Sequence, residues 1–323
     1  MKKLLSAAIA LVMGLSMSAP VLAVDGVGGN EHPYSDETTI KIDKEIKLTN
    51  EGTANPAETF NFTVGGGKVE SGNATSAPAF PSGTFSIPIA QGGLLGTVNI
   101  ILPTFEHVGE YLYEVKEVAG DTAGFVYDGE TYYLKITVIN DEENGGFKRV
   151  LTLYDGKDVK VDAFENEFNA GSLVINKEIT GNNAVYTDEF DVTVTLTPDE
   201  GKNIKEGPIN VSGTNFTPGK VTKVGNNVIV TFTVTNGSEV SINNIPYDVT
   251  YAVTEDSRAY TSNEPDNGFT GDINAATQTV DIENNLDTEI NTGVNLDNLP
   301  YILVLALVGV GLISFTVRKR VRN

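Results

Sequence analysis

The sequence predicts an all-β protein of two tandem domains, and three observations carry that expectation. The chain has 323 residues, more than one typical domain. Its runs of Thr, Val, Ile and Tyr are broken by 33 Gly and 13 Pro, a punctuation that favours short strands over helices. An ordered set of patterned strands also occurs twice, once up to residue 168 and again from residue 173.

The first element, MKKLLSAAIALVMGLSMSAPVLA, joins Lys2 and Lys3 to an apolar run ending in Val21-Leu22-Ala23, the layout of a secretory signal peptide. Residues 1–23 are therefore expected to be removed, leaving Val24 as the mature N-terminus.

TIKIDKEIKL follows and alternates as a half-buried strand does. Ile40, Ile42, Lys44, Ile46 and Leu48 share one face, and Lys41, Asp43, Glu45 and Lys47 the other, so a lysine stands in an apolar row. The next strand, FNFTV, aligns Phe60, Phe62 and Val64. YLYEVKE puts Tyr111, Tyr113, Val115 and Glu117 on one side, and FENEF closes the half with Phe164, Asn166 and Phe168. The second half repeats the order: Leu173, Ile175, Lys177 and Ile179 in LVINKEI, then Phe190, Val192, Val194 and Leu196 in FDVTVTL. Val249, Tyr251, Val253 and Glu255 follow in VTYAVTE, then Val280, Ile282 and Asn284 in VDIENN. The expected domains are 24–168 and 169–286.

Singly, each inward polar residue has an ordinary explanation: an edge-strand lysine can snorkel, and a buried asparagine can satisfy a backbone group. One Lys, one Glu and one Asn in the same order, twice, point instead to a shared purpose. An unpaired buried ammonium is costly, so the groups must form an ion network or lose their charge. Desolvation lowers a lysine pKa and raises that of a glutamate, placing a neutral amine beside a protonated carboxyl. Glu117 and Glu255 can then act as promoting acids that hydrogen-bond the asparagine carbonyl and carry protons while the amine attacks. Ammonia leaves, an amide joins Lys to Asn, and the reaction runs once per molecule.

The last element, 287–323, contains EINTGVNLDNLPY, a stretch at 298–317 without charge, and then Arg318, Lys319, Arg320 and Arg322. Segment 299–317 is long enough to span a bilayer, which takes about 17 to 25 residues, and its basic flank is expected to stay cytoplasmic. By hydropathy alone the two apolar ends also fit an ordinary single-span membrane protein.

Residues 24–292 hold 16 basic and 42 acidic residues, a net charge of −26, which argues against nucleic acid as a partner. There is no cysteine, which excludes disulfides, thiol chemistry and thiolate metal sites. With only His32 and His107, general bases are scarce, and GGGK at 65–68 lacks the strand-to-helix setting of a phosphate loop. No enzymatic turnover, cofactor or metal is expected. The acidic NDEENGG at 140–146 lacks EF-hand spacing and reads as a hairpin turn at Asn144-Gly145.

These residues resemble the two-domain backbone pilins of Gram-positive bacteria, of the streptococcal type. The resemblance rests on the strands around Lys44 and Lys177, and on Phe105, Gly109, Tyr111, Tyr113 and Glu117. It extends to Tyr251-Ala252-Val253-Thr254-Glu255, Phe164-Glu165-Asn166, Ile282-Glu283-Asn284 and the ending EINTGVNLDNLPY. It implies immunoglobulin-like sandwiches of the collagen-adhesin B type with self-formed isopeptide bonds, Lys44 to Asn166 and Lys177 to Asn284. It also implies a sortase sorting signal at Ile290, Asn291, Thr292 and Gly293, where Asn291 stands in place of the family's usual proline. Sortase would cleave after Thr292 and pass its acyl group to an exposed lysine of the next subunit, by position Lys160, with Lys157 as second candidate. The implied partners are sortase, identical subunits, and accessory pilins or cell-wall peptidoglycan, with the membrane holding the precursor only before cleavage. The implied location is a secreted, wall-anchored surface pilus. A wall-anchored adhesin that does not polymerise is the alternative, and a receptor or enzyme with a retained membrane span a weaker one.

Overall fold

The computed structural model of the protein describes residues 38–288, apart from Asn144, Asp158 and Glu206, together with 303–308. The expected signal peptide at 1–23, the expected sorting signal at Ile290 to Gly293 and most of the expected span at 299–317 lie outside the described residues. Among the described residues no helix is long and apolar enough to cross a membrane.

The expected all-β architecture is what forms. The first half contains β1 (Thr39–Leu48), β2 (Glu58–Val64), β3 (Lys68–Gly72), β4 (Thr84–Ile89) and β5 (Leu95–Ile101). It continues with β6 (Gly109–Val118), β7 (Phe125–Val126), β8 (Thr131–Asn140), β9 (Phe147–Tyr154) and β10 (Ala163–Phe168). These make two layers, a four-stranded sheet β5-β1-β10-β7 and a six-stranded sheet β4-β2-β6-β8-β9 with β3 on β6. Alternation puts Ile42, Ile46, Phe60, Phe62, Tyr111, Tyr113, Val115 and Phe164 in the core between the layers.

The second half contains β11 (Ala170–Thr180), β12 (Phe190–Pro198), β13 (Asn210–Val224) and β14 (Asn227–Pro246). It ends with β15 (Val249–Glu255), β16 (Thr261–Ser262), β17 (Phe269–Asp272) and β18 (Thr277–Asn285). Here one sheet, β16-β18-β11-β14-β12-β15-β17, curls around its own core. It curls because β14 serves both layers: residues 228–234 pair with β12 and residues 239–246 with β11. Gly237, at φ +72°, lies between the two stretches, where a side chain would be strained.

In both halves the first and last strands lie side by side and parallel. On β1 and β10, Lys44 stands opposite Phe164 and Ile46 opposite Asn166. On β11 and β18, Lys177 stands opposite Ile282 and Ile179 opposite Asn284. Lysine and asparagine are thus offset by two residues, one side-chain period, on the same face of adjacent strands in both domains.

One residue, Asn169, separates β10 from β11, and side chains brace the joint. Asn50 Nδ2 donates to the Ala170 carbonyl at 2.7 Å and to Tyr247 Oη at 2.8 Å. Lys205 Nζ lies 2.9 Å from Glu58 Oε2 and from the Ala57 carbonyl. Replacing Lys205 with Met should lower stability by only about 1 kcal/mol in a thermal melt, since the lysine side chain is 33% exposed and its charge partly screened. An unchanged melt would show that the brace rests on the remaining contacts.

Candidate functional site

Each domain buries one Lys–Glu–Asn cluster. In the first, β1 and β10 present Lys44 and Asn166 from one sheet, and β6 brings Glu117 from the sheet facing it. Lys44 Nζ donates to Glu117 Oε2 at 2.7 Å, and Asn166 Nδ2 donates to Glu117 Oε1 at 2.6 Å. In the second, Lys177 Nζ lies 2.9 and 3.0 Å from the two Glu255 oxygens, and Asn284 Nδ2 donates to Glu255 Oε2 at 2.6 Å. The side chains of both lysines and both glutamates are wholly shielded from solvent. All six residues read from the alternation therefore meet, three and three.

One detail departs from the sequence expectation. The carboxyl faces the asparagine amide nitrogen, not its carbonyl oxygen. A carboxylate offers only acceptor oxygens, so the ammonium and the NH2 group both turn their hydrogens to it.

Aromatic rings close each cluster. Lys44 Nζ sits 5.1 Å from the centroid of Phe60, and Lys177 Nζ 4.6 Å from that of Phe190, the leading residues of FNFTV and FDVTVTL. Tyr132 packs edge-on against Phe164 at 4.5 Å on the Asn166 strand. Burial in this apolar shell lowers the pKa of Lys44 and of Lys177, although the neighbouring glutamate pulls each partly back. The same desolvation raises the pKa of Glu117. A dry site thus favours proton transfer from ammonium to carboxylate, leaving an amine with a free lone pair.

Lys157 and Lys160 belong to neither cluster. Both are exposed; Lys157 Nζ is 3.5 Å from Glu130 Oε1, and the Lys160 backbone bridges to Tyr154. β8 and β9 pair antiparallel on either side of the acidic stretch, with Asn140 opposite Phe147; Asn144 of the expected turn lies outside the described residues, and Lys148 Nζ lies 3.2 Å from Asp141 Oδ1. One group that sequence reasoning did not find is the backbone N–H of Asp128, which donates to Asn166 Oδ1 at 2.9 Å. A main-chain donor leaves no residue-type signal, so nothing in the sequence marks it.

Fold and site define a class: a tandem β-sandwich protein with a water-excluded Lys–Glu–Asn cluster tying the first strand to the last in each domain. Residues 40–169 match the family model described as a Spy0128-like isopeptide containing domain, and residues 171–286 match one described as a domain of unknown function. A curated pilin of Streptococcus pyogenes serotype M1 is 28% identical over 237 residues, covering 67% of this chain and 69% of that protein. The crystal structure of the major pilin from Streptococcus pyogenes superposes with TM-score 0.52 at 21% identity, over 79% of this chain and 100% of that one. The T3.2 major pilin of the same species gives TM-score 0.51 at 21% identity, over 78% and 99%. At that identity the two structures establish the shared fold. The sequence matches, to the curated pilin and to the isopeptide-containing domain over residues 40–169, support a structural subunit of a Gram-positive pilus.

Proposed function

We propose that the clusters close as Lys44–Asn166 and Lys177–Asn284 amides, and that the protein is the repeating subunit of a covalent, wall-anchored pilus. The observation that carries this reading is the common geometry: the same two-residue offset on parallel strands, with a glutamate within hydrogen-bond distance of both side chains. The proton of the ammonium passes to the carboxylate, and the amine lone pair adds to the asparagine Cγ. The amine's second proton travels through the glutamate to Nδ2, the C–N bond breaks, and the ammonia takes up the proton first passed to the glutamate and leaves as ammonium. The glutamate returns to its starting state, so each domain reacts once and the protein itself does not turn over substrate.

The tie serves a structural end. Each amide joins the strand by which the chain enters a domain to the strand by which it leaves, so a pull along the fibre passes through covalent bonds and not through the hydrogen-bonded ladders between them. Intact-mass measurement of residues 24–292 tests the reading. The mass should fall two ammonia equivalents below that of the sequence, and a mass equal to the sequence would refute it.

Assembly follows the sorting signal at Ile290, Asn291, Thr292 and Gly293: sortase cleaves after Thr292 and joins it to Lys160, or to Lys157, of an identical subunit. Accessory pilins or peptidoglycan would take the chain end, and the membrane would hold only the uncleaved precursor. Both lysines are exposed, as an acceptor of an enzyme-bound acyl group must be. With a cognate sortase the protein should give an SDS-resistant ladder that Lys160→Arg collapses to monomer while both internal bonds persist. A ladder surviving Lys160→Arg but lost in Lys157→Arg moves the acceptor, and one surviving the double variant rejects this stretch. No ladder at all, with a single anchored band, would favour the wall-anchored adhesin.

A further inference from the structure

The two clusters match in their lysine, glutamate and asparagine but differ at the carbonyl oxygen. Asn166 Oδ1 accepts the Asp128 backbone N–H at 2.9 Å. A backbone N–H can only donate, so the atom it meets is the oxygen, which also fixes Nδ2 toward Glu117. Asn284 Oδ1 is buried and has no hydrogen-bond partner among the described residues.

From this difference, and resting on the closure reaction proposed above, we infer that the Asp128 N–H is an oxyanion donor for the first-domain bond, and that this bond forms before the one in the second domain. When Lys44 Nζ adds to Cγ, the π pair of the carbonyl moves onto Oδ1, toward the Asp128 N–H. The pair then returns, the bond to Nδ2 breaks and ammonia leaves with the proton carried by Glu117. A donor already aimed at the oxygen stabilises that intermediate without reorganisation. In the second domain the same negative charge develops on an oxygen with no such donor among the described residues.

The donor is held in place by its own loop. Asp128 Oδ1 accepts the Glu130 N–H at 2.8 Å, and Asp128 Oδ2 accepts the Tyr132 hydroxyl. Upstream, the Thr122 N–H donates to Tyr127 Oη at 3.3 Å. The fold explains why, among the described residues, the first domain has it and the second does not. Strand β7 pairs with β10 at Glu167 and Phe168, just past Asn166, so the chain leaving β7 runs alongside the asparagine. In the second domain β16 pairs with β18 at Asn284 and Asn285, and the backbone of that strand satisfies ladder partners.

Cell-free synthesis with timed acid quenching, digestion and mass spectrometry of the crosslinked peptides tests the order. The Lys44–Asn166 peptide should accumulate ahead of the Lys177–Asn284 peptide; simultaneous or reversed appearance overturns the inference. Asp128→Pro removes the N–H and should slow first-domain closure about 100-fold, the lower range for loss of one oxyanion donor, with the second domain unaffected. Asp128→Ala loses the same side-chain contacts but keeps the N–H, and should close at least about tenfold faster than Asp128→Pro. Equal rates in these two variants would place the effect in the side chain and reject the donor. Should Asp128→Pro fail to fold by circular dichroism, the order in the wild-type protein decides. If neither crosslink appears in the wild-type protein, the closure reaction itself is refuted, a result distinct from two crosslinks in the wrong order.

Discussion

Glu117→Ala is expected to leave the first domain unlinked while the second closes normally, and Glu255→Ala to do the converse. Each variant should carry one ammonia equivalent more than the closed protein after correction for the substitution. The effect should be close to all-or-none, because the carboxyl is the proton carrier within hydrogen-bond distance of both reacting side chains. Without it the lysine has no acceptor for its proton, and the amide nitrogen has no donor when it must leave. Glu117→Gln separates chemistry from packing, since it fills the same space but cannot relay a proton. Full crosslinking in Glu117→Gln would assign the carboxyl a merely spatial part. The wild-type reaction should also slow as pH falls: burial holds the Lys44 pKa below its ordinary value, yet below that lowered pKa the amine is protonated and cannot attack.

Asn284→Ala should expose the mechanical and thermodynamic value of the second bond. This variant is the cleanest of the possible changes because Lys177 and Glu255 remain as a buried ion pair, whereas Lys177→Ala would strand the carboxylate. Closing residues 177–284 into one loop restrains the unfolded chain, and by analogy with long-loop disulfides the tie should contribute about 2 to 5 kcal/mol. For a domain of this size that is a fall in melting temperature of about 8 to 20 °C. Trypsin should then cleave Asn284→Ala at temperatures where the wild-type protein resists. Matching melts and matching digestion would show that the bond adds nothing beyond the folded sandwich.

The strands and the six cluster residues were legible in the sequence because strand alternation is a local property. A period of two assigns a face to each residue from its immediate neighbours alone, and Lys44 and Lys177 were conspicuous as charges on faces otherwise apolar. The aromatic lids were visible only as core positions; that Phe60 and Phe190 cover the two amines required the second layer to be in place. The twenty-residue β14, which passes from β12 to β11 along one edge while β13 pairs with it along the other, was not legible, because alternation continues through a change of partner without a break.

By itself, then, the sequence determined the all-β class, the two repeats, the acidic surface and which side chains face inward, all set by composition or by spacing of a few residues. Tertiary structure alone decided that the glutamate stands between lysine and asparagine, with partners 73 and 49 residues away in the first domain. It alone decided that the carboxyl meets the amide nitrogen, and that a main-chain N–H 38 residues from Asn166 reaches its carbonyl in one domain, where the second domain supplies no such donor among the described residues. Those facts depend on how one sheet is laid over the other and on where short strands such as β7 and β16 stop pairing. Register and layer packing are settled by the summed contacts of the whole domain, and no single segment carries them.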